Sequence, residues 1–234
     1  MQKRKIDIAP SIMCADLCNL EQGVKNIEEL GLDLLHVDVI DGYFSPSMPL
    51  GIDTIKQLKT RTNMKFDVHV MAKDNEYFIQ EMIQIGAEQI TFHLETSNHV
   101  DRHLQLVKKS GLRTGIALNP ATPLSELEYI LPYCDTVLLM LINPGFATDK
   151  NEKQVAYAVQ KVKDLRELID EKGLDTRIEV DGRVSFETIP ELVKAGADIL
   201  VAGSTSLFAK GQSLEENKKL MEEKITEGLY EEVK

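Results

Sequence analysis

The chain has 234 residues, 43% of them hydrophobic and 28% charged, with a formal net charge of −11. That length suits one α/β domain over residues 1–234, and the acidic balance argues against a nucleic-acid partner, because neutralising phosphates needs a basic face. No apolar run reaches membrane-spanning length, the opening "MQKRKIDIAPSIM" does not read as a secretory signal, and the three cysteines (Cys14, Cys18 and Cys134) form no framework; the expectation is a cytoplasmic protein whose thiols are reduced and act as small buried hydrophobes.

Short β-rich runs recur along the chain in the order "IDIAPSIM", "LDLLHVDVI", "KFDVHVM", "QITFHLE", "RTGIALN", "TVLLMLIN", "TRIEVDG" and "ADILVAGS". Between them lie longer amphipathic or charged segments. "LEQGVKNIEEL" has helical spacing, and "EKQVAYAVQKVKDLRELIDEKG" reads as one long helix stopped at Gly173. "SFETIPELVKAGA" and "SLEENKKLMEEKI" each begin with Ser, a favoured residue ahead of a helix, and the final "EEKITEGLYEEVK" reads as a helix end with a frayed tail. No linker or composition shift divides the chain. Eight alternating strands and helices in this length predict a closed (β/α)8 barrel, the TIM-barrel architecture, rather than an open doubly wound sheet, whose first strand would lead into a Gly-rich turn.

In such a barrel functional groups gather at the C-terminal ends of the strands, and the unusual polar residues fall there. Ser11 and Met13 end the first strand, His36 and Asp38 the second, His69 and Met71 the third, His93 the fourth and Asn119 the fifth. Met140 and Asn143 end the sixth, Asp181 the seventh, and Gly203 with Ser204 the eighth. Side chains two apart on a strand share a face, so His36 pairs with Asp38, Asp67 with His69, and Glu179 with Asp181. If that face is the barrel interior, two His and two Asp converge near its mouth, a donor set suited to Zn²⁺, Mn²⁺ or Fe²⁺. The bland alternative is a set of hydrogen-bonded structural groups. His93 is expected to neighbour the site without ligating, and His99 and His103 to lie on a helix surface. Met13, Met71 and Met140 read either as core filler or as an apolar wall around a reactive carbanion.

The motifs "IAPSIM", "LHVDVIDGYF", "DVHVM", "ALNPATPLSELEYIL", "NPGF", "IEVDGR" and "AGADILVAGS" together resemble the ribulose-phosphate 3-epimerase family over most of the chain. The resemblance implies a metal-dependent epimerase acting at C3 of a ketose phosphate, D-ribulose 5-phosphate/D-xylulose 5-phosphate, through an enediolate. Carried over by position, His36, Asp38, His69 and Asp181 would hold the divalent ion, and Asp38 and Asp181 would be the acid/base pair. Ser11, His69, Met13, Met71 and Met140 would meet the substrate. Gly145, Phe146, Gly182, Arg183, Gly203 and Ser204 would surround its phosphate. A homo-oligomer is expected, with no nucleic-acid or membrane partner.

The chain departs from the family pattern where Gly-Gly-Gln would follow "NPGF", here "ATDK" at 147–150. It departs again at Arg183, in place of a second glycine, and at Tyr43, in place of a His. "SIMCADL", "HLETSN" and "STSLF" resemble the allulose-6-phosphate 3-epimerase branch, which makes D-allulose 6-phosphate/D-fructose 6-phosphate the alternative substrate pair. A non-catalytic sugar-phosphate binder is the rival from another class. A related decarboxylase would be expected to carry an Asp-x-Lys pattern, which "HVDVIDG" lacks.

Overall fold

A computed structural model describes residues 4–145, 149 and 151–230. The strands are β1 (Asp7–Pro10), β2 (Leu34–Ile40), β3 (Lys65–Met71), β4 (Gln89–His93), β5 (Arg113–Leu118), β6 (Thr136–Met140), β7 (Arg177–Asp181) and β8 (Ile199–Ala202). The helices are α1 (Leu20–Glu29), α2 (Ile52–Lys59), α3 (Asn75–Ile85), α4 (Val100–Lys109), α5 (Ala158–Glu171), α6 (Ile189–Ala195) and α7 (Leu214–Tyr230). All strand pairs are parallel, in the order β1-β8-β7-β6-β5-β4-β3-β2. The ring closes through a single parallel bridge between Ser11 and His36. That bridge brings the end of β1 against the polar residues of β2.

Both faces of the strands are covered, so their residues are buried on either side. Leu35, Val37 and Val39 of β2, Phe66, Val68 and Val70 of β3, and Ile178 and Val180 of β7 point outward into the main core beneath the helices. Their neighbours on the same strands, His36, Asp38, Asp67, His69 and Glu179, point inward and are almost fully buried. On the far side of the barrel the interior is apolar, where Ala117, Leu138 and Met140 form a separate small cluster. The polar half of the interior therefore spans β2–β4 and β7.

Two expected elements come out differently. The segment after β5 forms two short 3₁₀ turns (Leu124–Leu127 and Leu131–Tyr133) in place of an α-helix. Pro120, Pro123 and Pro132 lie in this stretch, and each removes a backbone donor. The long helix after β6 begins at Ala158 rather than near Glu152, whose carboxylate instead accepts bonds from Asn143 N and Nδ2 at 3.1 and 3.0 Å. Its stop is as expected: Gly173 has φ +63°, the left-handed conformation favoured just past a helix end. Ser213 and Glu216 form a reciprocal cap at the start of α7, Glu216 N donating to Ser213 Oγ (3.2 Å) and Ser213 N to Glu216 Oε2 (2.8 Å). His103, expected at the surface, is buried against Phe92 because it occupies the inward face of α4. Cys18 is exposed, whereas Cys134 is buried. Among the described residues no helix is long and apolar enough to cross a membrane.

Candidate metal and active site

Register builds the site. β2 and β3 pair with Asp38 opposite His69 and His36 opposite Asp67, while β6 sets Met140 opposite Asp181 of β7. One donor atom from each of His36, Asp38, His69 and Asp181 falls within 4.8 Å of the others. Asp38 Oδ1 lies 3.3 Å from both His36 Nε2 and His69 Nδ1, and Asp181 Oδ2 lies 3.7 Å from His69 Nδ1. Ser11 Oγ donates to the other oxygen of Asp38 at 2.9 Å.

His36 Nε2, Asp38 Oδ1 and His69 Nδ1 are buried and have no hydrogen-bond partner among the described residues. Leaving such groups unpaired in an interior is costly. Two imidazole nitrogens and a carboxylate oxygen face a common point, and a divalent cation fits that donor set. The groups also perturb one another. Burial opposes a charge on His36, yet Asp38, Asp67 and Glu179 hold its pKa well above the ordinary imidazole value. Burial works against the Asp38 carboxylate too, but His36 and His69 outweigh it and hold Asp38 far below the usual range. Asp181 is raised, first by burial and then by the charge of Asp38. Burial lowers His69.

Below this layer sits a second polar group. His36 Nδ1 is 3.0 Å from Asp67 Oδ2 and 3.2 Å from Glu179 Oε1. Gln89 Nε2 donates to Asp67 Oδ1 (2.8 Å) and to Glu179 Oε2 (3.3 Å), and Thr136 Oγ1 donates to Gln89 Oε1 (2.7 Å). Burial and the adjacent Asp67 charge push Glu179 well above the normal carboxylate range, while Asp67 is lowered because His36 outweighs its own burial. With Asp67 accepting the Nδ1 proton, the Nε2 of His36 is the nitrogen turned upward to the cluster. This is the arrangement that orients a ligating histidine.

This cluster floors a cavity of about 560 Å³ that opens at the C-terminal ends of the strands. Ser11, Met13, Met71 and Met140 line it, together with Asp38 and Asp181. His36 and His69 lie beneath the lining, fully buried, so His69 is not positioned to contact a ligand in the cavity directly. Gly145, Gly182, Arg183, Gly203 and Ser204 form the outer wall, and Phe146 lies outside the described residues. Gly182 has φ +109°, and a Cβ there would sit 2.6 Å from Ile142 Cγ1. Gly203 needs no such freedom, since a Cβ there would meet only Cys14 Sγ at an ordinary 3.5 Å.

Arg183 occupies the left-handed region at φ +54°. Its Nε donates to Glu152 O (3.1 Å) and its Nη2 to Asp149 O (2.5 Å), tying the loop after β6 to the loop after β7. Gln154 Nε2 reinforces the join by donating to the carbonyls of Gly182 (3.1 Å) and Arg183 (2.9 Å). Asp41 serves a local role at the end of β2, accepting from the backbone N–H groups of Tyr43, Phe44 and Lys73 at 2.8 Å each.

The sequence profile of the Ribulose-phosphate 3 epimerase family matches residues 7–208. The chain belongs to the ribulose-phosphate 3-epimerase family. It is 41% identical to "Ribulose-phosphate 3-epimerase" of Escherichia coli strain K12 over 198 residues, which is 84% of this chain and 87% of that protein. Against the protein of the same name from Bacillus subtilis strain 168 the identity is 38% over 200 residues, 85% of this chain and 91% of the relative. Family membership makes it an enzyme of the isomerase class. In fold it also resembles 3-hexulose-6-phosphate synthase from Salmonella typhimurium, with a TM-score of 0.67 at 14% identity, covering 95% of this chain and 100% of that one.

Within this epimerase, sequence reasoning grouped Asp67 and Glu179 only by strand parity and missed Gln89 and Glu95 altogether. Parity puts Asp67 two residues before His69 and Glu179 two before Asp181, on the same inward faces, and that was the available signal. Gln89 carries no pattern of its own. Glu95 lies two residues past His93 in a 3₁₀ turn, Leu94–Thr96, where neither strand nor helix periodicity applies.

Proposed function

We propose that the chain is a metal-dependent 3-epimerase of a ketose phosphate, interconverting D-ribulose 5-phosphate and D-xylulose 5-phosphate by two-base proton transfer at C3. The observation that carries the reading is the set of orphaned acceptors on His36, Asp38 and His69, closed by Asp181, at the floor of the cavity. These four residues would hold the divalent ion. When bound, the ion supplies Lewis-acid stabilisation of the negative charge that develops on the substrate oxygens beside C3.

The remaining chemistry belongs to the chain. Inversion at C3 needs one acid/base group on each face of a planar intermediate. Asp38 on β2 and Asp181 on β7 come from different walls of the barrel. Each of the two serves as the base for one epimer, while its partner returns the proton from the opposite face. Ser11 steadies the Asp38 oxygen that faces away from the two imidazoles. Met13, Met71 and Met140 make an apolar wall that keeps water from the carbanion. Backbone N–H groups at Gly145, Gly182, Gly203 and Ser204, with the charge of Arg183 beside them, are the phosphate handle, at the usual phosphate position of this barrel type. A non-catalytic binder has no use for three unpaired buried acceptors beneath its ligand.

Arg183 supports a second reading. A side chain that ties two phosphate-end loops together alters the reach of the cavity, which is where a pentulose and a hexulose phosphate differ. D-allulose 6-phosphate/D-fructose 6-phosphate is then the substrate pair. A coupled epimerase assay across pentulose and hexulose phosphates, with metal analysis of the same sample, tests both. One divalent ion per chain and loss of activity on chelation are expected. Full activity in metal-free protein would sink the metal role, and a better than tenfold preference for the hexulose phosphate would select the second pair.

A further inference from the structure

His69 Nε2 points away from the ligand cluster, 2.9 Å from His93 Nε2. The two rings are inclined by only 29°, so an N–H on one lies near the plane of the other's lone pair. His93 Nδ1 in turn lies 3.0 Å from Glu95 Oε2. Glu95 is pinned from its other oxygen, which accepts from Asn119 N at 2.7 Å and from Thr122 Oγ1. The same loop is gripped from behind by Lys161, whose Nζ donates to the carbonyls of Asn119, Pro120 and Thr122 at 2.9, 2.9 and 2.7 Å. Phe44 packs over His93 with ring centroids 4.6 Å apart.

The proton order along this chain is dictated from the outside inward. Glu95 is a carboxylate and can only accept, so His93 must donate from Nδ1. With a single proton on the His93 ring, its lone pair is on Nε2, and His69 donates from its own Nε2. The His69 proton is thereby placed on the nitrogen remote from Asp38 and Asp181. We propose that Glu95 and His93 are positioning residues that hold His69 in the Nε2–H tautomer, with its Nδ1 lone pair facing Asp38 and Asp181. The inference rests on the metal site proposed above. His36 reaches the same state through one carboxylate, Asp67, whereas His69 reaches it through two links, a ring and then a carboxylate on a different loop. The order of its proton is therefore set by a residue at the rim, whose side chain is 22% exposed.

The test uses full-length protein stripped of metal and labelled with ¹⁵N. Long-range ¹H–¹⁵N correlation of the imidazoles at neutral pH reads the tautomers directly, and Co²⁺ titration reads affinity without turnover. The wild type is expected to carry its protons on His69 Nε2 and His93 Nδ1. His93→Phe and Glu95→Ala should let His69 populate both tautomers and should weaken Co²⁺ binding about 10–100-fold, with unchanged circular dichroism. His93→Gln, whose side-chain oxygen can accept the His69 proton, should recover most of the affinity. Thr122→Val removes one contact to Glu95 while leaving the His93 link, and should bind Co²⁺ as the wild type does. A His69 proton on Nδ1 in the wild type overturns the proposal, as does wild-type Co²⁺ affinity in both His93→Phe and Glu95→Ala. Wild-type protein with both tautomers as assigned but no uptake of Co²⁺ upholds the relay and overturns the metal reading alone.

Discussion

Replacing each of the two proposed bases by its isosteric amide separates their roles. Removing a positioned acid/base group costs about 10²–10⁴-fold in rate, or roughly 3–5 kcal/mol of barrier. The surroundings make the two substitutions unequal. Asp38 is 2% exposed and sits between the lone pairs of His36 and His69, 3.3 Å from each. The amide introduced by Asp38→Asn would offer those lone pairs a donor and compete directly with a cation, so this variant should lose metal as well as the base. The Asp181 side chain is 18% exposed and lies farther from His69, at 3.7 Å. Asp181→Asn should therefore retain more metal and is the cleaner probe. Epimerisation should fall by about 10²–10⁴-fold in Asp181→Asn and by at least as much in Asp38→Asn. The diagnostic assay is wash-in of solvent deuterium at C3, measured for each epimer separately with metal content determined on the same sample. Because one base remains in each variant, the two should retain exchange on different epimers. If Asp181→Asn keeps its metal and epimerises at the wild-type rate, Asp181 has no part in proton transfer. If both variants exchange the same epimer, a single base serves both faces and the two-wall arrangement is wrong.

Gly182→Ala should destabilise the fold by about 2–5 kcal/mol, combining strain at φ +109° with overpacking against Ile142; a change in denaturation free energy below about 1 kcal/mol would show that the turn relaxes freely. Arg183→Gly should relieve the left-handed strain yet release the loop carrying Asp149 and Glu152, raising KM for the phosphorylated ketose with a smaller effect on kcat; unchanged kinetics on pentulose and hexulose phosphates would assign the side chain to loop structure alone. Burial pushes the Glu95 carboxyl up, but His93, Thr122 and Asn119 outweigh it and hold its pKa down at about 2 against an ordinary 4.5. Its folded-state pKa being depressed, the stabilisation is complete above pH 4.5 and is lost as pH falls through about 2. The stability gap between wild type and Glu95→Gln should accordingly narrow across that window, and a pH-independent gap would refute the assignment.

The barrel was legible because its causes are local. β2 and β3 alternate a polar inward residue with an apolar outward one, so the inward placement of His36, Asp38, Asp67 and His69 followed from strand parity. The resemblance to the family picked the four proposed ligands out of those candidates. Periodicity failed where proline interrupts it, in the 3₁₀ turns after β5, and at Glu152, where a carboxylate prefers Asn143 to the first turn of α5. The division of the interior into two polar layers was beyond the sequence. Asp67 and Asp38 are both inward carboxylates, but the β2–β3 register sets Asp38 among the unpaired acceptors and Asp67 beneath His36 as its proton acceptor. The link from His69 through His93 to Glu95 depends on the β3–β4 pairing and on a turn without a repeat. Composition and strand parity thus determined the fold and the kinds of group at its mouth. Only the tertiary structure decided which nitrogen of each histidine carries a proton, because that depends on what lies against the far side of each ring.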